Sequence, residues 1–67
     1  MTRTFYAVHR DKDCPTQVRR FSTLAKAVRW TSEAPEHREL APRAAPLVRR
    51  ATRYARQGMP WPQMVME

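Results

Sequence analysis

The sequence predicts one small α+β domain in which an N-terminal β-hairpin is followed by two α-helices. The first third of the chain contains two runs rich in aromatic and β-branched residues, 4–9 (TFYAVH) and 16–21 (TQVRRF). The rest of the chain instead shows apolar residues at helical spacing. A chain of 67 residues has room for one core, because a domain of this size buries only about 60% of its unfolded surface. We therefore treat residues 1–67 as a single basic domain.

Turn-forming residues separate the two predicted strands. The intervening segment RDKDCP contains Asp11, Asp13 and Pro15, which favour turns through side-chain hydrogen bonds or a fixed φ. It contains no glycine, which a tight primed turn normally requires. The sequence thus predicts a β-hairpin with a loop of five or six residues.

The first helix is predicted to run from an N-cap at Ser22 or Thr23 to about Glu33. Its apolar stripe at 100° per residue consists of Leu24, Ala27, Val28 and Thr31. Trp30 lies beside this stripe, so it either closes the edge of the core or stands as an exposed anchor for a partner. Residues 34–42 contain two prolines and no clear period, which indicates a connector.

The second helix, over residues 45–57, is the most regular feature of the sequence. Pro46 suits the first helical turn and Gly58 suits a left-handed C-cap. The apolar arc of this helix is formed by Leu47, Val48, Ala51, Tyr54 and Ala55. The opposite arc carries Arg49, Arg50, Arg53 and Arg56. Because no acidic residue lies between Glu39 and Glu67, nothing nearby in the sequence neutralises that row.

The C-terminal segment, residues 58–67, is predicted to be an extended tail because Pro60 and Pro62 prevent a helix. Trp61 either folds back with its neighbours over the core or serves as a docking anchor. The core itself is predicted to contain Tyr6, Val8, Val18, Leu24, Val28, Leu47, Ala51 and Tyr54.

No residue pattern indicates catalysis, a metal or a cofactor. Cys14, His9 and His37 are scattered singly, whereas a zinc site needs several such ligands at defined spacing. A single cysteine also excludes an intramolecular disulfide, which makes a homodimer or a bound partner the expected supplement to a thin core. Gly58 is the only glycine, so a glycine-rich phosphate loop is absent. We expect a protein that is not an enzyme.

The charge balance points to an acidic partner. Thirteen Lys and Arg residues against six Asp and Glu give a formal charge of +7, and eleven of the thirteen are Arg. Guanidinium groups bind phosphate and carboxylate in bidentate fashion. We therefore expect binding to an acidic protein surface, a nucleoprotein complex or nucleic acid itself. The candidate contact residues are the helix row Arg49, Arg50, Arg53 and Arg56, with Trp30 and Trp61 as aromatic anchors. Arg19 and Arg20 either extend this row or form a second basic patch.

The sequence also predicts a location. No segment approaches the roughly 18 apolar residues of a membrane helix. The start MTRTFYAV lacks the apolar run of a secretory signal. We expect no membrane span and a cytoplasmic protein. A basic amphipathic helix can bind an anionic membrane surface, but the apolar arc here has few large residues.

In size, charge and lack of cofactor motifs, the whole chain resembles the accessory proteins of phages and mobile elements, including anti-CRISPR and other inhibitors of host factors. That resemblance implies a small binding protein that acts as an inhibitor.

The alternative interpretation is a dimeric DNA-binding regulator. The order of strand 16–21, helix 22–33 and helix 45–57 is similar to the ribbon-helix-helix repressors, in which paired strands from two chains enter the major groove. That resemblance implies base contacts from Gln17, Arg19 and Phe21 on one strand face, or from Thr16, Val18 and Arg20 on the other. The chain departs from the family in its proline-rich connector, in the missing interhelical glycine and in having a partner strand of its own.

Overall fold

A computed structural model describes residues 3–65 as a four-stranded antiparallel sheet with two helices. The elements in chain order are β1 (Phe5–Asp11), β2 (Cys14–Phe21), α1 (Leu24–Ser32), β3 (Arg38–Ala41), α2 (Pro46–Arg56) and β4 (Gln63–Val65). The strands lie side by side in the order β3-β1-β2-β4. The predicted α+β class is confirmed, but the hairpin is the centre of a larger sheet.

The hairpin turn is tighter than its sequence predicts. Asp11 pairs with Cys14, so only two residues connect the strands. The side chain of Asp11 accepts a hydrogen bond from the backbone N–H of Asp13 at 3.0 Å, which stabilises the turn without a glycine. The register then shifts between His9 and Asp11, which leaves two residues of β2 opposite one of β1. Pro15 lies in this bulge, where its missing N–H costs no ladder hydrogen bond.

Two strands were not expected from the sequence. The predicted connector 34–42 contains β3, and the predicted tail 58–67 contains β4 within its described part. β3 has four residues and β4 has three, which is too short for a convincing alternation of apolar and polar side chains. Both lie at the edges of the sheet, where charged residues and prolines are common. The Trp61-Pro62 peptide bond before β4 is cis.

The helices lie on opposite faces of the sheet. Successive side chains of a strand point to opposite faces, so Ala7 and His9 of β1 lie on one face and Tyr6 and Val8 on the other. We call the first the helix-1 face, because α1 contacts β1, β2 and β3 there through Trp30. The second is the helix-2 face, where α2 packs on β2 and β4. The chain therefore forms three layers.

The main core lies on the helix-2 face. Its fully buried members are Val8, Val18, Val48, Ala51 and Val65. Partly buried side chains pack around them, among them Tyr6, Leu47, Tyr54 and Trp61. Six of the eight residues predicted for the core thus lie in it or against it.

The helix ends follow from local chemistry as predicted. The side chain of Thr23 accepts a hydrogen bond from the backbone N–H of Lys26 at 3.2 Å and caps α1. Pro46 is the first residue of α2. Gly58 has a φ of 98°, and its N–H donates to the carbonyl oxygen of Ala55 at 3.1 Å, which closes the C-terminal end of α2.

The buried side of α1 differs from the predicted stripe. The sequence places Leu24 and Val28 in the core, but they are 49% and 43% exposed, so that prediction is wrong. The helix instead buries Ala27 and Trp30. The physical reason is the size of the indole of Trp30, which covers the helix-1 face. Because α1 is oriented with Trp30 toward the sheet, Leu24 and Val28 lie on its solvent side.

Candidate functional site

The exposed side of α2 carries four of the eleven arginines of the chain. Because Val48 and Ala51 point into the core, the opposite side of the helix must face solvent. The side chains there are Arg49, Arg50, Arg53 and Arg56, all exposed. Arg49 and Arg56 are seven residues apart, which is about 10 Å along a helix axis. The four guanidinium groups thus form one row.

Most of this row has no acidic neighbour. Within residues 3–65, no carboxylate lies within 4.0 Å of the guanidinium nitrogens of Arg49, Arg53 or Arg56. Arg50 is already engaged in a contact within the chain. Three cationic groups are therefore left to solvent on one helix. Arg53 and Arg56 also lie in the last turn of α2, where the helix dipole favours a cation.

Three of the described carboxylates have partners outside α2. Glu39 of β3 pairs with Arg10 at 2.6 Å, and Glu33 lies 3.6 Å from Arg38 at the end of α1. Asp11 accepts a hydrogen bond in the hairpin turn. None of these three carboxylates lies within 4.0 Å of Arg49, Arg53 or Arg56, so none of them forms an ion pair with these arginines.

Arg19 and Arg20 do not extend the row together. They are adjacent on β2 and so point to opposite faces of the sheet. The guanidinium carbon of Arg19 lies 5.3 Å from the ring centre of Trp30 on the helix-1 face. That of Arg20 lies 5.2 Å from the ring centre of Trp61 on the helix-2 face. Of the two, only Arg20 shares a sheet face with α2.

The two tryptophans have different surroundings. Trp30 is 9% exposed and packs near His9, Phe21 and Arg38, so it closes the core and does not stand as an exposed anchor. Trp61 is partly buried, with its ring centre 6.0 Å from that of Tyr6. The C-terminal segment thus folds back on the sheet and leaves part of Trp61 accessible.

The structure brings His9 and His37 close, with 5.8 Å between ring centres. However, Nδ1 of His9 accepts a hydrogen bond from Nε of Arg38 at 3.0 Å, which gives this ring a structural partner. Among residues 3–65, no three His, Cys, Asp or Glu side chains come together as a metal-binding group. Cys14 is exposed beside the hairpin turn.

The pairing of β2 differs from the arrangement in ribbon-helix-helix repressors, where the strand pairs with that of a second chain. β2 pairs with β1 along one edge, and Thr16, Gln17 and Val18 pair with β4 along the other. Thr16 and Val18 are buried on the helix-2 face, whereas Arg20 of the same strand face is exposed. The DNA-binding alternative stays a prediction.

Sequence reasoning missed a groove between the start of α1, the start of β1 and the end of β3. Leu24, Leu40 and Phe5 line it together with Arg3 and Arg43. Leu24 alone could not reveal this groove, because the groove forms only where Leu24 of α1 lies beside residues of β3, a strand that the sequence did not predict.

Comparisons with known proteins add no assignment to this geometry. No helix among residues 3–65 is long and apolar enough to cross a bilayer. The chain matches no protein-family model, no curated protein and no solved structure.

Proposed function

We propose that this chain is a small non-enzymatic binding protein that engages an acidic partner through the exposed arginine row of α2. The observation that carries the proposal is the set of three guanidinium groups, on Arg49, Arg53 and Arg56, with no carboxylate nearby among the described residues. A row of such groups gains most when it meets phosphates or carboxylates.

The composition of the row limits what it can recognise. Apart from the arginines, the polar groups of α2 are the hydroxyls of Thr52 and Tyr54, and that of Thr52 donates to the carbonyl oxygen of Val48 at 2.9 Å. The helix therefore offers cationic forks without the Asn or Gln side chains that read adenine. On nucleic acid it would contact phosphates, and guanine is the base that its guanidinium groups could read in the major groove.

The same row suits an acidic protein surface or a nucleoprotein complex. By covering acidic groups that a target uses for another ligand, a protein of this size would act as an inhibitor of that target. An inhibitor of a host factor, of the kind carried by phages and mobile elements, is the specific form of this proposal. The homodimer expected for a thin core stays a prediction, which sedimentation equilibrium would check.

The direct test is reversal of charge on α2. Arg49→Glu combined with Arg53→Glu changes the formal charge from +7 to +3, since each substitution removes two units. The matched control is Lys26→Glu with Arg29→Glu, which makes the same change at two exposed positions of α1. Circular dichroism should show that both variants keep the fold, because all four positions are exposed.

Binding should be measured by affinity capture from the native host at two salt concentrations, with and without nuclease, and by anisotropy with a labelled DNA duplex and with polyglutamate. We expect the α2 variant to lose its partner while the α1 variant keeps it. If two to four phosphates are contacted, log K should fall with log salt at a slope of about −2 to −4. Equal losses in both variants, or full binding by the α2 variant, would refute the proposal.

A further inference from the structure

The groove lined by the start of α1, the start of β1 and the end of β3 contains no residue of the arginine row. It has a volume of about 750 Å³ and lies between the start of α1 and the end of β3. Leu24 lines it from the helix, Leu40 from the strand and Phe5 from β1. Since β3 is an edge strand, no further strand of the described chain covers this side.

The groove presents large apolar side chains to solvent. Leu24 is 49% exposed and Leu40 is 45% exposed. Of the five large hydrophobic residues exposed in the described chain, these two line one groove, together with the partly buried Phe5. Contiguous patches of this kind mark interaction sites, whereas single exposed side chains do not.

The charge around the groove has one sign. The charged side chains that line it, among the described residues, are those of Arg3 and Arg43. The nearest carboxylate of β3, that of Glu39, lies on the opposite face and is paired with Arg10 at 2.6 Å. The first turn of α1 opens beside the groove and contains no acidic residue, so its positive dipole end is also uncompensated.

A second copy of the chain is a poor occupant. Each copy carries a formal charge of +7, and a symmetric contact would bring two sets of Arg3 and Arg43 together. Like charges placed against each other in an interface cost several kcal/mol. The groove has apolar walls and two arginines at its border. A ligand with carboxylates next to large apolar side chains is complementary to both features.

We propose that this groove binds an acidic peptide segment of another protein, with large apolar side chains seated against Leu24, Leu40 and Phe5 and carboxylates near Arg3 and Arg43. A neighbouring groove of about 440 Å³ on the helix-2 side fits such a ligand less well, because it contains Glu39. The proposal does not depend on the arginine row of α2, and the two surfaces can be tested separately.

The probe is a short fluorescein-labelled peptide of alternating Asp and Leu, titrated at about 0.15 M salt, where charges more than about 8 Å away are screened. Two control peptides replace every Asp with Lys or every Leu with Ser. We expect binding of the first peptide only. In ¹H–¹⁵N spectra, the shifts should cluster at Phe5, Leu24, Leu40 and Arg43.

Variants separate the groove from general charge. Leu40→Ser should weaken binding about tenfold, the loss expected for one apolar contact. Arg43→Glu, at an exposed position with little risk to folding, should weaken it to a similar degree. The α2 variant Arg49→Glu with Arg53→Glu should bind the peptide within about threefold of the parent, because neither residue lines the groove.

Four outcomes would overturn the proposal. These are absence of binding, shifts confined to α2, affinity unchanged by both Leu40→Ser and Arg43→Glu, and equal binding of the serine control peptide. A dimer detected by sedimentation and lost in Leu40→Ser would also overturn it, by assigning the groove to a second copy. Failure of the α2 variant to lose its own partner would leave these results unaffected.

Discussion

The two faces of the sheet are closed by different kinds of packing. On the helix-2 face, small aliphatic side chains from three strands and α2 are fully buried together, among them Val18, Val48 and Val65. On the helix-1 face, one large side chain, Trp30, covers the strands. Its ring lies near the guanidinium groups of Arg19 at 5.3 Å and Arg38 at 4.3 Å.

This difference explains which helix leaves apolar surface exposed. Val48 and Ala51 of α2 are buried against the sheet, and the opposite side of that helix carries the exposed arginines. In α1, Ala27 and Trp30 are buried, which leaves Leu24 and Val28 on the exposed side. The face closed mainly by one large side chain is therefore the one beside the apolar groove, and the face closed by small aliphatic side chains displays the arginine row.

The largest expected effect is that of Trp30→Ala. Removing a buried tryptophan costs about 3–5 kcal/mol. A chain of 67 residues is expected to have about 3–10 kcal/mol of stability in all, so much of the variant should be unfolded at 25 °C. Urea denaturation followed by circular dichroism measures the loss.

The matched control is Trp61→Ala on the helix-2 face. Trp61 is only partly buried and the aliphatic core beneath it stays intact, so the expected loss is about 1–2 kcal/mol. If the two variants lose the same stability, the helix-1 face does not depend on a single side chain and the contrast between the faces fails.

The second prediction compares one substitution on the two helices. Val48→Ala should lower the free energy of unfolding by about 2 kcal/mol. Val48 is 0% exposed, so removing its methyl groups leaves a cavity in the aliphatic core. Val28→Ala should change stability by less than about 0.5 kcal/mol, because Val28 is 43% exposed. Both changes gain the same helix propensity, which cancels in the difference. Thermal melts of the two variants provide the measurement. Similar shifts in Tm would contradict the orientation of α1 in which Ala27 and Trp30 are buried and Val28 is exposed.

Features set by neighbouring residues were predictable from the sequence. Thr23, Pro46 and Gly58 end or begin helices through hydrogen bonds and backbone angles that involve only the next few residues. The arginine row was predictable for a similar reason, because a helix whose apolar residues share one arc must expose the other. The division of Arg19 and Arg20 between sheet faces also follows from strand alternation.

Features set by distant residues were not predictable in this way. β3 joins β1 across about thirty residues of chain, and β4 joins β2 across more than forty, so neither short strand carries its own signal. The orientation of α1 depends on the shape of the sheet surface that receives Trp30. The apolar groove needs both β3 and that orientation, so no local pattern could reveal it.

The smallest predicted effect concerns Arg38, which links β3 to α1. Its Nε donates to Nδ1 of His9 at 3.0 Å, and Nη1 donates to the carbonyl oxygen of Trp30 at 2.8 Å. This carbonyl lies in the last turn of α1, where free acceptors need partners and a cation is favoured. The guanidinium group of Arg38 thus contacts the imidazole of His9, the C-terminal end of α1 and the indole of Trp30 at the same time.

Arg38→Lys should therefore cost about 1–2 kcal/mol although it keeps the charge, since a single ammonium group cannot serve His9 and Trp30 in the same geometry. Arg29→Lys, on the exposed side of α1, is the matched control and should be neutral. Urea denaturation gives the free energies, and the His9 ring signals in ¹H–¹⁵N spectra should shift in the first variant only. If Arg38→Lys is as stable as the parent, charge alone holds α1 against the sheet, and the planar fork of the arginine contributes nothing beyond it.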